Sequence, residues 1–383
     1  MSTLPALPKW LDEDAVRVYE GARRAARETL AGLDPGDGGI NRPLLTALAE
    51  TGLLPAIFPR SHGGTAEAGV SATRLCLLRE AIAQGSTEAE TTLALQGLGG
   101  YPILQSADDA VARRWVSQLA SGEAVAAFAL TEPKAGTDAA ALALVAEAVD
   151  GGYRLSGSKK WISNAPEADV YSLFARTSDE GARGVTGFVV PGDAEGLSGE
   201  TIDLSTPHAI GTLELDGVFV ARDHVLGEVG AGFRVAMSTL DLFRPSVGAF
   251  AVGMAQAALD AAVSYAKERN AFGKPLTAFQ AISHRLADMA VRTQAARLLV
   301  YEAAATYDAG DRVTGASAMA KLFATESAQI VIDDAIQIHG AAALQKDHLL
   351  EHLYRDVRGT RIYEGTSEIQ REIIARELLR AEE

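Results

Sequence analysis

The chain has 383 residues, 48% hydrophobic and 22% charged, a balance that excludes a disordered or fibrous polymer and leaves room for two or three domains. Fifty acidic against 35 basic residues give a formal charge of -15 with no basic run, which argues against nucleic acid or an anionic membrane as partner. The single cysteine, Cys76, cannot form an internal disulfide and suits a reducing, cytoplasmic setting.

The opening MSTLPALPKWLDEDAV lacks a basic segment followed by an apolar core, so no targeting segment is expected. From about residue 10 to 124, apolar residues recur at three- and four-residue spacing, as in DEDAVRVYEGARRAARETLAG, RPLLTALAETGLL, SATRLCLLREAIAQG and ADDAVARRWVSQLASG. Ser71, Asp108 and Asp109 are candidate helix caps. From Val125 the texture changes to short β-branched and aromatic runs, YRLSGSKKWIS, DVYSLFART, GVTGFVVPG and TLELDGVFV, separated by turn residues. From about residue 229 the helical period returns in long segments able to pack as a bundle. Residues 247–257, VGAFAVGMAQA, are too short to span a bilayer and read as a buried helix. The expectation is an α+β multidomain protein divided at 1–124, 125–228 and 229–383.

Taken singly, the chemistry-bearing stretches also have structural readings. FALTEPKAGTDAA offers Thr131 and Thr137 around a Pro and a Gly, suited to a polar heterocycle or phosphate, though composition alone favours an ordinary strand-to-loop junction. Trp161 in GSKKWISNA could cover a flat ring or simply pack. GEVGAGF does not match GxGxxG and has no strand-helix-strand setting, which disfavours a nicotinamide enzyme. Arg269, in ERNAFGKPLTAFQ, could neutralise a phosphate or close a helix as a cation, and His339 in IQIHGAAA reads as another helix-end cation. The seven histidines form no metal-ligand spacing, so no metal is expected.

Together and in order, FALTEPKAGTD, GSKKWISN, RNAFGKPL..FQ, QIHGA and IYEGTSEIQ resemble the motifs of the acyl-CoA dehydrogenase family, in its medium- and short-chain-like form. The resemblance spans essentially the whole chain. It implies an N-terminal α-helical domain, a middle β-barrel, a C-terminal four-helix bundle, bound FAD, a homotetramer and electron-transfer flavoprotein as electron acceptor. It places Phe128, Leu130, Thr131, Gly136, Thr137, Trp161, Ile162 and Ser163 along the flavin, with Thr137 also near the substrate. Arg269, Phe272, Phe279, Gln280, Gln337, Ile338, His339, Gly340 and Ala341 match positions that reach the FAD of a neighbouring subunit, and Thr366 and Glu368 match those near the flavin's adenosine and pyrophosphate part. Asp241 and Arg244 match CoA-side contacts, with Tyr363 and Gly365 beside the thioester.

Glu364 matches the catalytic base of that family. An acyl-CoA α-proton is weakly acidic, so a carboxylate must take it while donors stabilise the enolate-like charge and a hydride leaves Cβ for the flavin. Some relatives carry the base just before the arginine of the DLFRP-like segment, where this chain has Phe243. In the segment IDLSTPHAIGTLELDGVFVARDHVLGE, residues 202–228, no arginine and serine follow the Ile-Gly pair at the spacing usual in the family, so its grip on CoA or its acyl shape is expected to differ. A flavin oxidase or monooxygenase, or a non-catalytic binding protein on the same fold, are the alternatives.

Overall fold

The computed structural model describes residues 7–33, 39–67 and 69–380. The first six residues of the stretch read for a targeting segment lie outside them. Helices come first: α1 (Glu13–Ala25), α2 (Arg42–Glu50), α3 (Ala72–Ala83), α4 (Thr87–Ser106) and α5 (Asp109–Ser121). Then come β1 (Ala126–Ala129), β2 (Val145–Val149), β3 (Gly152–Ser163), β4 (Val170–Arg176), β5 (Val185–Pro191), β6 (Leu197–Ser198), β7 (Ile210–Ala221) and β8 (Val225–Leu226). Next are α6 (Gly232–Glu268), a hairpin of β9 (Asn270–Ala271) and β10 (Lys274–Pro275), α7 (Gln280–Asp308), α8 (Thr314–His339), α9 (Leu349–Thr360) and α10 (Ser367–Arg380). The expected succession of helices, β domain and helices holds.

Two of the three expected caps act as caps. Ser71 Oγ accepts from the Arg74 N–H at 3.1 Å and Asp108 Oδ1 from the Ala110 N–H at 2.9 Å. Asp109 is instead the first residue of α5, paired with Arg113 one turn on.

One compact unit comprises Gly32–Val70 and Thr91–Leu240. Its sheet runs β6-β7-β3-β2-β4-β5-β8, with β1 alongside β4. Strands β4 and β5 are buried almost throughout, matching their mostly apolar sequence, while β3 and β7 alternate. Between β1 and β2 the chain is fixed by one carboxylate: Glu132 accepts the N–H groups of Ala143 (2.7 Å) and Leu144 (3.0 Å) and pairs with the buried Lys159 (2.8 Å), whose Nζ also donates to the Leu130 carbonyl. Helix α4, rich in glycine and interrupted by Pro102, comes close to β1 in this unit. A Cβ on Gly99 would stand 2.7 Å from the Ala127 nitrogen, which is why a weak helix former sits there.

The other unit comprises the described parts of Met1–Ala31, Ser71–Glu90 and Asp241–Glu383, so α1 and α3 pack with the long C-terminal helices. Helix α6 is long and apolar enough to cross a bilayer by length and composition, but 83% of its most apolar window is buried inside the chain, as in a core helix. Pro245 interrupts its hydrogen-bond ladder by removing the N–H that would reach Asp241 O. Ser317 Oγ on α8 donates to that carbonyl instead, at 3.3 Å.

Candidate active site

Helix α9 ends at Thr360, and the six residues before α10 form a tight turn in which two successive residues are left-handed, Glu364 (φ 53°) and Gly365 (φ 96°). Glycine takes such a conformation freely, but a glutamate does so only when its surroundings impose it. Here they do. Arg244 Nε on α6 donates to the Glu364 carbonyl at 3.2 Å. Lys321 Nζ on α8 and Gln370 Nε2 on α10 donate to the Gly365 carbonyl at 2.7 and 3.0 Å. Ser367 and Arg361 both hold Glu326, closing the turn from its far side.

This clamp leaves the Glu364 side chain with a particular environment. Its Oε2 is buried and has no hydrogen-bond partner among the described residues. Burial raises its pKa above the ordinary carboxylate value, while the positive charges of Arg79, Lys321 and Arg244 act in the opposite sense. Burial lowers Lys321 to about 8, against the stabilising charge of Glu364. Asp241 is raised by burial in spite of Arg244, which it meets at 3.2 Å. Among the described residues the Glu364 N–H donates to no carbonyl or side chain. The result is a half-buried carboxylate with a spare oxygen, next to an unspent donor, on a backbone held from three helices.

The structure therefore brings Asp241, Arg244, Tyr363, Glu364 and Gly365 together. It commits Arg244 and Asp241 to holding the turn, since the Asp241 carboxylate also accepts from Thr314 Oγ1 at 3.3 Å. Thr366 immediately precedes α10, its hydroxyl accepting from the Ile369 N–H at 3.4 Å, and Glu368 stands exposed as the second residue of that helix.

In the sheet unit, Trp161 sits at a β-bulge of β3 with φ 62° and its indole half-exposed. The adjacent Lys160 N–H donates to the Thr131 carbonyl at 3.1 Å, fixing the Thr131 loop beside this strand. Gly136 and Thr137 are exposed on that loop, Phe128 is half-buried against Phe174, and Leu130 and Ile162 are buried, so Ile162 can offer only backbone to a ligand. Ser163 Oγ shares a hydrogen bond with His208 Nε2 at 2.8 Å, tying the unusual 202–228 segment to the same strand. An exposed indole held out of the regular pleat, beside a loop of free hydroxyl and amide groups, suits a planar heterocycle such as a flavin.

Arg269, Phe272 and Gln280 are exposed around the β9–β10 hairpin, with Phe279 half-buried and its ring 6.1 Å from that of Phe272. Gln337, Gly340 and Ala341 are exposed, whereas Ile338 and His339 are buried. His339 stacks on Tyr265 and burial lowers its pKa, the opposite of what the helix-end cation expected from its position requires.

Family models for the acyl-CoA dehydrogenase N-terminal, middle and C-terminal domains match residues 12–123, 127–218 and 230–379. The chain belongs to the acyl-CoA dehydrogenase family. It is 36% identical to cyclohexane-1-carbonyl-CoA dehydrogenase of Geobacter metallireducens, over 96% of this chain and 98% of the relative. Butyryl-CoA dehydrogenase of Megasphaera elsdenii superposes with a TM-score of 0.92 at 34% identity, covering 97% of this chain and all of that one. A chain from structural work on the electron transferring flavoprotein of Acidaminococcus fermentans gives the same TM-score and identity over 98% and 100% of the two chains. The FAD complex of PigA superposes at a TM-score of 0.86 with 28% identity, over 97% and 99%. As an acyl-CoA dehydrogenase family member the chain is an FAD-dependent oxidoreductase.

Several residues that shape these two regions of the acyl-CoA dehydrogenase chain escape sequence reading. Lys321 is the single charge in the apolar helical stretch AMAKLFA, and Arg79 follows the apolar run LCLL beside a second charge, Glu80, so contrast with apolar neighbours is their only signal. Glu132, Lys159 and His208 act through partners distant in sequence.

Proposed function

We propose that this enzyme dehydrogenates the Cα–Cβ bond of an acyl-CoA thioester to a 2,3-enoyl-CoA, with Glu364 as the base that takes the α-proton. The observation that carries this reading is the Glu364 carboxylate: left-handed, with one oxygen buried and unpartnered, and surrounded by three cations. Burial brings its proton affinity toward the working range of a general base, while the cations keep the carboxylate form accessible. The unspent Glu364 N–H is suited to receive the thioester carbonyl as negative charge develops on its oxygen. Gly365, without a Cβ, lets the thioester approach the backbone. Bound FAD supplies the hydride acceptor, and Thr131, Thr137, Trp161 and Ser163 are the residues of the sheet unit that would hold its ring system.

Exposed apolar residues on α7 and α8, Val291, Leu298, Met319, Phe323 and Ile330, together with the 95% exposed Phe272, support assembly with further copies, as in a homotetramer. Electron-transfer flavoprotein as acceptor and a cytoplasmic location complete the reading. Anaerobic titration of the yellow protein with a panel of acyl-CoA thioesters tests it: at least one thioester bleaches the flavin, and the reduced form reacts slowly with oxygen. No bleaching by any thioester, or rapid reoxidation by oxygen, would favour the binding-protein or oxidase alternative.

A further inference from the structure

Arg79 follows the apolar run at residues 75–78 of α3 and is only 3% exposed. Its Nε donates to a Glu90 carboxylate oxygen on α4, and its Nη1 donates to Ser246 Oγ on α6 at 2.6 Å. Ser246 spends its own proton on the Phe243 carbonyl at 2.6 Å, so it can only accept from the arginine. The guanidinium is thus fixed from α4 and α6, with the Phe250 ring 5.9 Å away. Its ion pair is with Glu90, and its anchor Ser246 lies two residues along α6 from Arg244, whose Nε holds the Glu364 carbonyl; its charge, like those of Lys321 and Arg244, favours the Glu364 carboxylate.

The charged groups around this turn are Arg79 on α3, Glu90 on α4, Asp241 and Arg244 on α6, Lys321 and Glu326 on α8, Glu368 on α10, and Tyr363 within the turn itself. Arg244 and Lys321 are occupied with the carbonyls of residues 364 and 365. Arg79 has no bond to that backbone. We propose that Arg79 is a positioning residue for proton abstraction: its fixed guanidinium favours the carboxylate form of Glu364, and Glu90, by neutralising part of that charge, sets how strongly. Arginine suits this task because it keeps its proton across the whole working pH range, whereas Lys321 titrates near 8.

The inference rests on Glu364 being the base. The test is the pH profile of anaerobic flavin reduction at saturating thioester, in wild type, Arg79→Met, Glu90→Gln and the double variant. Without the guanidinium the carboxylate is harder to ionise, so the acid limb of Arg79→Met moves to higher pH by about one unit. Glu90→Gln frees the arginine charge and moves the limb to lower pH. The double variant keeps the upward shift and avoids an unpaired buried Glu90, so it serves where Arg79→Met does not fold. Arg79→Lys restores most of the wild-type profile. The shift can also be read without turnover, from the pH at which each protein and its Glu364→Gln counterpart diverge in melting temperature. A merely structural Arg79 would leave the limb of the double variant on that of wild type, or move Glu90→Gln in the same direction as Arg79→Met. Either result overturns the proposal. If Glu364→Gln itself stays active, the base assignment fails; if it is inactive while the limbs do not move, only the role of Arg79 fails.

Discussion

Arg244 Nε donates to the main-chain carbonyl of Glu364 at 3.2 Å, so a helix residue 120 positions earlier holds the backbone, not the carboxylate, of the proposed base. That distinction decides what a substitution does. Arg244→Leu should leave both the Glu364 carbonyl and the half-buried Asp241 without their cation, destabilising the fold by about 3–5 kcal/mol. Arg244→Lys, which keeps the charge but loses the planar geometry, should fall between the two in both stability and turnover. Denaturant melts alongside steady-state rates check this, and a Leu variant as stable as wild type would remove the clamp from the account.

Gly365→Ala tests the turn from the other side. The added Cβ would lie 2.6 Å from Gln370 Nε2, one of the groups holding the turn, at a φ of 96° that alanine resists. A stability loss of about 1–3 kcal/mol is expected. The displaced carboxylate should lower turnover by about 100-fold. Flavin content should be unchanged.

Glu132 and Lys159 give a prediction within the sheet unit. Burial depresses the lysine to about 8, from an ordinary 10.5, although Glu132 opposes the shift. The unfolded chain therefore binds the proton more tightly than the folded one between about pH 8 and 10.5, and this pair's contribution to stability rises with pH over that window. Melting temperatures of wild type should gain on Lys159→Met across it. Glu132→Ala, which strands the buried lysine and two N–H groups, should cost about 3 kcal/mol or more at neutral pH.

Trp161→Ala should separate cofactor binding from folding. The indole is half-exposed, so stability should change by less than about 0.5 kcal/mol. Loss of its ring face should weaken FAD retention by about 10-fold. Equilibrium dialysis of flavin against the two proteins measures the difference, and equal retention would place the flavin elsewhere.

Stability also reports on Glu364 directly. A carboxylate with raised pKa lets the folded chain hold its proton more tightly than the unfolded one. Its stabilising effect is present at low pH and is lost as pH rises from the ordinary carboxylate range through the folded value. The melting temperature of Glu364→Gln should therefore match wild type in acid and exceed it by a growing margin toward neutrality.

Much of this architecture is legible in the chain. Strand β3 coincides with YRLSGSKKWIS to within a residue, and Ser71 and Asp108 cap the helices their sequence announces. Helix α4 is less so, because Gly97, Gly99, Gly100 and Pro102 weaken local helix preference and only packing against β1 explains the glycine at 99. At the site, Glu364 stands out through a five-motif resemblance, not through any local rule. Its left-handed conformation and that of Trp161 are imposed by partners far along the chain, as are the roles of Arg79 and Lys321. No spacing pattern encodes a contact between residues 79 and 246, or between 321 and 365.

The measurement that bears most directly on the central claim is anaerobic reduction of Glu364→Gln by a thioester that bleaches the wild-type flavin. The variant should purify yellow, with full FAD content and bound thioester, and its flavin should stay oxidised. Substantial bleaching of the Gln variant would show that another group removes the α-proton.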